Sequence, residues 1–101
     1  MSHRIMFLRS SNNQPVGCLA ISIAKNGEVI NYGLSVLHPT DKFNRSVARQ
    51  LAIGRLVESP TTITGIKFAK IHDVTNLVMS HVSSSDAPTR AVKAARNWLR
   101  G

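Results

Sequence analysis

The sequence predicts an α+β domain: an antiparallel three-stranded meander packed on a helix, then a further strand and a basic carboxy-terminal helix. Three observations predict it. Asn26-Gly27 separates two apolar runs, a strong β-hairpin signal because both residues tolerate the positive φ of a type I′ turn. Residues 41–58 carry apolar side chains at helical spacing and stop at Ser59-Pro60, where proline has no N–H to donate. Residues 87–100 are alanine-rich, with Pro88 in the first turn, where proline is tolerated. A chain of 101 residues makes one domain, 1–101, with room for a single core.

The elements follow in order. Arg4–Arg9 is the first strand, with Ile5 and Phe7 opposite Met6 and Leu8, and Ser10–Pro15 is a loop of turn formers. Strands over 16–25 and 28–37 then form the hairpin. A two-residue turn pairs Lys25 with Glu28, Ile23 with Ile30, Ile21 with Tyr32 and Leu19 with Leu34 on one face. The other face receives Ala24 with Val29, Ser22 with Asn31, Ala20 with Gly33 and Cys18 with Ser35. One face is large and apolar, the other small and mildly polar. A one-residue slip would mix the two, so the register supports itself.

The large face is expected to lie against the helix of residues 41–58. The small face has two readings. It is a solvent-facing sheet surface, or a place where another backbone comes close, from this chain or from a second copy in a homodimer.

For the first helix, Pro39 biases His38 to an extended conformation, and Thr40 or Asp41 can cap the first turn. Phe43, Val47, Leu51, Gly54 and Val57 form one stripe, the expected buried face, with Gly54 allowing close approach to the sheet. Arg45 and Arg49 lie one turn apart on the far side. Thr61–Ile71 is rich in Thr and Ile and reads as a further strand, interrupted at Gly65. Residues 72–82 read as a short helix capped by Asp73, with a strand as the alternative. Asp86 can cap the last helix. Its apolar face is Ala91, Ala94, Ala95, Trp98 and Leu99, with Trp98 as a core anchor.

Composition narrows the function classes. Thirteen Lys and Arg against five Asp and Glu give a net charge of +8, with a pI near 10.9. A polyanionic or acidic partner is the natural expectation. The lone Cys18 excludes an internal disulfide and suits a reducing cytoplasm. No apolar run approaches the roughly 18 residues of a membrane span, and the apolar stretch near the amino terminus is too short for a signal peptide. A cytoplasmic protein with no membrane contact is expected.

Catalytic chemistry finds few candidates. His3, His38, His72 and His81 are dispersed and there is no second cysteine, so no tetrahedral metal set forms. There is no G-x-S-x-G turn and no phosphate-cradling glycine loop. Three of the five acids read as helix caps and one as the partner of Lys25, leaving no paired carboxylates. The expectation is a non-enzyme without catalytic residues, metal or cofactor.

Basic surface remains. Lys42, Arg45, Arg49 and Arg55 fall on the first helix and Arg90, Lys93, Arg96 and Arg100 on the last. Neither helix spaces a Glu four residues from these cations. Arginine predominates, and its planar fork suits phosphate or carboxylate. These eight are the candidate partner- or nucleic-acid-binding residues. Aromatic content of 5% argues against a binder of stacked single strands.

Two stretches resemble known proteins. Thr89–Arg96 resembles the closing helix of a double-stranded-RNA-binding domain, but the element order lacks that domain's opening helix and inserts one after the third strand. Val36–Leu56 resembles a pattern in short bacteriophage and prophage proteins. There a strand ends in a Pro-x-Asp turn (here Pro39-Thr40-Asp41) and leads to an Ala-x-Gly-Arg helix (here Ala52-Ile53-Gly54-Arg55). It spans about a fifth of the chain. It implies a small non-enzymatic phage accessory protein, anti-CRISPR-like, that binds a host protein or nucleoprotein complex in the host cytoplasm. Many such inhibitors are acidic nucleic-acid mimics; this basic chain departs from them and points to acidic protein surfaces or bound nucleic acid. The alternative is a direct, sequence-nonspecific nucleic-acid binder, marked by steep salt dependence.

Overall fold

The computed structural model describes residues 3–24, 28–38, 42–64 and 71–101. Strands β1 (Arg4–Arg9), β2 (Pro15–Ala24), β3 (Val29–Val36) and β4 (Thr61–Ile63) make one antiparallel sheet in the order β1-β2-β3-β4. Helices α1 (Arg45–Glu58), α2 (Ile71–Ser83) and α3 (Thr89–Leu99) complete an α+β fold. The hairpin register is the expected one from Ala24↔Val29 to Cys18↔Ser35. The Asn26-Gly27 turn and the Lys25–Glu28 pair lie outside the described residues, as do Thr40, Asp41 and the expected strand from Gly65 to Lys70.

The two sheet faces are covered by different helices. Leu8, Leu19, Ile21, Ile30 and Tyr32 on the large face pack against Val74, Val78, Met79 and Val82 of α2 and Ala91, Ala94 and Ala95 of α3. Cys18 and Ala20 on the small face pack against Ala52 and Leu56 of α1. The expectation that the large face meets the first helix is therefore corrected. The reason is Gly33: a Cβ there would collide with the Ala52 carbonyl oxygen and the Leu56 amide nitrogen. The α1 backbone rests on the β3 backbone at this point, and only a small-residue face permits that. The Ser35 hydroxyl fastens the contact by donating to the Ala48 carbonyl at 2.9 Å. The small face is thus neither solvent-facing nor available to a second copy; another element of the same chain fills it.

The rotation of α1 follows. Ala48, Ala52 and Leu56, spaced one turn apart, face the sheet. The stripe expected to be buried is turned outward, with Val47 49%, Leu51 50% and Val57 75% exposed. Open space surrounds Gly54, so that glycine has no role in close approach. The helix also starts later than expected. Asn44 is its N-cap and accepts a hydrogen bond from the Val47 amide at 3.1 Å. Lys42 and Phe43 precede the helix, and Phe43 meets Phe7 edge-on with ring centroids 5.7 Å apart. At the other end α1 stops at Ser59, before Pro60, as expected.

Residues 71–83 are helical, which decides between the two readings of that stretch. Asp73 lies inside the first turn of α2, where its charge suits the helix dipole. Pro88, not Asp86, is the N-cap of α3, and no side chain caps it. Trp98 keeps 39% of its surface exposed and is not the core anchor expected of it. The buried face of α3 is its alanines. No helix among the described residues is long and apolar enough to cross a membrane.

The two helix-related glycines should respond in opposite directions. Gly33→Ala forces α1 off the sheet and is expected to cost about 2–3 kcal/mol, the scale of overpacking a tight contact. Gly54→Ala should stabilise by about 0.5–1 kcal/mol through helix propensity alone. Urea unfolding of both variants measures this, and a neutral Gly33→Ala would show that α1 does not rest on Gly33.

Candidate partner-binding surface

The orientation of α1 decides which cations are available. With Ala48, Ala52 and Leu56 facing the sheet, Arg45 and Arg49 fall on the flank above β1. The Arg45 guanidinium carbon sits 4.8 Å from the centroid of the Phe7 ring, a cation–π contact that holds the side chain in place. The cleft between β1 and α1, about 770 Å³, is lined by Ile5, Phe7, Arg45, Ser46, Arg49, Gln50 and Ile53. Among the described residues no carboxylate lines it, so its polar rim is rich in donors and positive in charge.

Beyond that flank, Val47, Leu51 and Val57 form the outer surface of the helix. A second cleft of about 350 Å³ opens on the opposite flank, between α1 and the end of β3. Val36, Leu37, Phe43, Val47, Ala48 and Leu51 give it an apolar floor, with Lys42 and His38 at its wall. Lys42 therefore belongs to this cleft and not to the first helix, which corrects its expected position.

The remaining candidates separate into two roles. Arg55 donates from α1 to the Leu34 carbonyl, and Arg90 donates from α3 to the Leu37 carbonyl at 2.7 Å. Both hold backbone at the end of β3. Lys93 and Arg96 are exposed on α3, and Arg100 just past its end. Since α1 and α3 cover opposite faces of the sheet, the eight cations do not form one footprint. Arg45 and Arg49 lie together on one layer; Lys93, Arg96 and Arg100 lie on the other.

Two contacts had no signal in the sequence. The Tyr32 hydroxyl and His81 Nδ1 are 2.6 Å apart, with the rings edge-on at 5.6 Å. They are separated by 49 residues, so no local spacing could reveal them. The pair ties α2 to the sheet at the rim of a third cleft, about 430 Å³, that also holds Arg55, Thr61, Ser85 and Asp86. Burial pushes the Tyr32 pKa up, opposed by a hydrogen bond with the Thr61 side chain. The second is Arg45 over Phe7.

Cys18 is fully buried, its Sγ 3.8 Å from the Leu19 carbonyl oxygen. Burial pushes its pKa up and the charge of Arg49 draws it partly back. That is a structural thiol, as its mid-strand position suggests. Among the described residues no group of three or more His, Cys, Asp or Glu could hold a metal ion. Comparison with protein-family models, curated proteins and solved structures gives no match to this chain.

The raised pKa values imply an alkaline limit to stability. The unfolded chain ionises Cys18 near 9.0 and Tyr32 near 10.0, while the folded chain keeps both protonated. Their stabilisation is full below those values and is lost as pH rises through the higher folded values. Urea midpoints should fall progressively above about pH 9, and Cys18 should react with iodoacetamide only as fast as the protein opens. Rapid alkylation of the native protein would place the thiol at the surface.

Proposed function

We propose that this is a non-enzymatic, phage-type accessory protein that docks on an acidic surface of a host nucleoprotein or nucleic-acid-processing complex and inhibits or modulates it, in the manner of an anti-CRISPR. The docking surface is the outer face of α1. One observation carries the reading: Val47, Leu51 and Val57 of α1 are large, aliphatic and exposed, with Val47 and Leu51 lining the cleft on one flank of the helix and Arg45 and Arg49 the cleft on the other. Exposed large apolar side chains rimmed by polar groups mark a protein interface. Apolar side chains at the centre and arginine among them are the composition of such interfaces. A phosphate backbone has no use for these aliphatic side chains, so the partner presents a protein surface at this point. The phage context rests on the resemblance of residues 36–56.

A second reading applies to the other layer. Lys93, Arg96 and Arg100 share one exposed side of α3, the arrangement that would follow a phosphate backbone. Three phosphate contacts give a slope of log K against log salt of about −2.7. A direct nucleic-acid role would reside there.

Charge and apolar variants separate the two. Arg45→Glu with Arg49→Glu, and independently Leu51→Ser with Val57→Ser, should each weaken capture of the host complex by at least about tenfold, or 1.4 kcal/mol. Lys93→Glu with Arg96→Glu should leave it unchanged and should affect only binding to naked duplex DNA at low salt. Capture that survives both α1 pairs, with unfolding midpoints unchanged, contradicts the assignment of α1.

A further inference from the structure

β4 pairs only with Ile30, Asn31 and Tyr32, so from Gly33 to Val36 the outer edge of β3 carries no strand of the described residues. Two clefts flank this edge and meet at Val36, which lines both. On the α1 side the wall is aliphatic, with Val47, Ala48 and Leu51. On the side of the α2–α3 connection it is polar, with His81, Ser85 and Asp86. Arg55 reaches over the edge to the Leu34 carbonyl, and Arg90 reaches the Leu37 carbonyl from the opposite layer.

We propose that this edge accepts an extended, acidic segment of a partner protein as an added strand, with Arg55 as a guard that the segment's carboxylate releases. The geometry matches the alternation of a strand. Successive side chains of an added strand point to opposite faces of the sheet, so apolar ones enter the aliphatic cleft and acidic ones face Arg55 and His81. Main-chain hydrogen bonds would supply affinity and the two clefts selectivity.

Charge selects the occupant. Arg55, Arg90 and Lys42 surround the edge, and among the described residues Asp86 is the single carboxylate lining either cleft. A second copy of this chain is disfavoured, since it brings another +8 and another Arg55 to the same edge. Charged side chains commonly protect exposed strand edges from indiscriminate pairing. Here the protection is conditional. An incoming N–H that takes the Leu34 carbonyl displaces the Arg55 guanidinium; an acidic strand offers that guanidinium a carboxylate, and a neutral strand leaves it without a new partner. The site shares Val47 and Leu51 with the α1 surface, but it is tested on the free protein at the β3 amides, so its failure is distinct from failure of the α1 docking reading.

The test is an amide chemical-shift titration of the full chain with a capped heptapeptide of alternating Glu and Val. Matched peptides carry Lys or Ser in place of Glu, and a fourth is N-methylated at alternate amides. The acidic peptide should shift the amides of Leu34 and Val36 and the Nε–H of Arg55. The Lys and N-methylated peptides should bind at least about tenfold more weakly. In Arg55→Gln the Ser and Glu peptides should bind alike. The proposal is overturned if the acidic peptide leaves the β3 edge unshifted at millimolar concentration, if N-methylation has no effect, or if Arg55→Gln retains the preference for Glu.

Discussion

The seating of the α1 backbone on Gly33 is the contact on which the arrangement of the molecule depends. A missing Cβ on β3 meets small side chains on both sides: Ala20 and Cys18 beside it, and Ala48 and Ala52 above it. Helix and sheet approach until backbone touches backbone, and the Ser35 hydroxyl supplies a hydrogen bond at the interface. Such a seam buries few large side chains. The hydrophobic stabilisation comes mainly from the opposite layer, where Leu8, Leu19, Ile30, Met79, Val78 and Val82 are fully buried. The sheet is therefore asymmetric by design of its sequence: one face is fitted for close approach, the other for bulk.

That asymmetry distributes the functional surface. Close seating through alanines turns the larger residues of α1 away from the sheet, leaving Val47, Leu51 and Val57 exposed, with Val47 and Leu51 on one flank and Arg45 and Arg49 on the other. The same three-layer arrangement puts the cations of α3 on the far side. Arg55 and Arg90, from opposite layers, converge on the end of β3 and hold its carbonyls. Cations that look equivalent along the chain thus divide into anchors of backbone and free surface charge. The second class can meet a partner without releasing a backbone contact, whereas Arg55 can do so only by leaving the Leu34 carbonyl.

The strands and their register were legible because a period of two is checked at every pair. Large residues had to meet large ones and small ones small ones, from Ala24↔Val29 down to Cys18↔Ser35. The faces of α1 were not legible, and the reason is physical. A helical stripe drawn from hydrophobicity selects Val47, Leu51 and Val57, because alanines carry little hydrophobic signal. What buried the other side was shape, not greasiness, and shape depends on Gly33 in a strand distant in sequence. Gly54 invited the same error, since a glycine in a helix suggests close approach whether or not anything lies opposite. The helix start was ambiguous for a local reason: Thr40, Asp41 and Asn44 can all cap, and the choice of Asn44 goes with Phe43 packing on Phe7. Of the candidate site, Arg45 and Arg49 kept their expected exposure. Lys42, Arg55 and Arg90 changed role because their partners are tertiary, and the Tyr32–His81 pair left no local trace.

The functional reading and the fold stand on the same orientation of α1, which nuclear Overhauser contacts report directly. The account predicts strong contacts from the Gly33 α-protons to Ala52 and Leu56, with the methyls of Leu51 and Val57 making none to Leu19 or Ile21. Contacts from the Leu51 or Val57 methyls to Leu19 and Ile21, with none from Gly33 to α1, would contradict it.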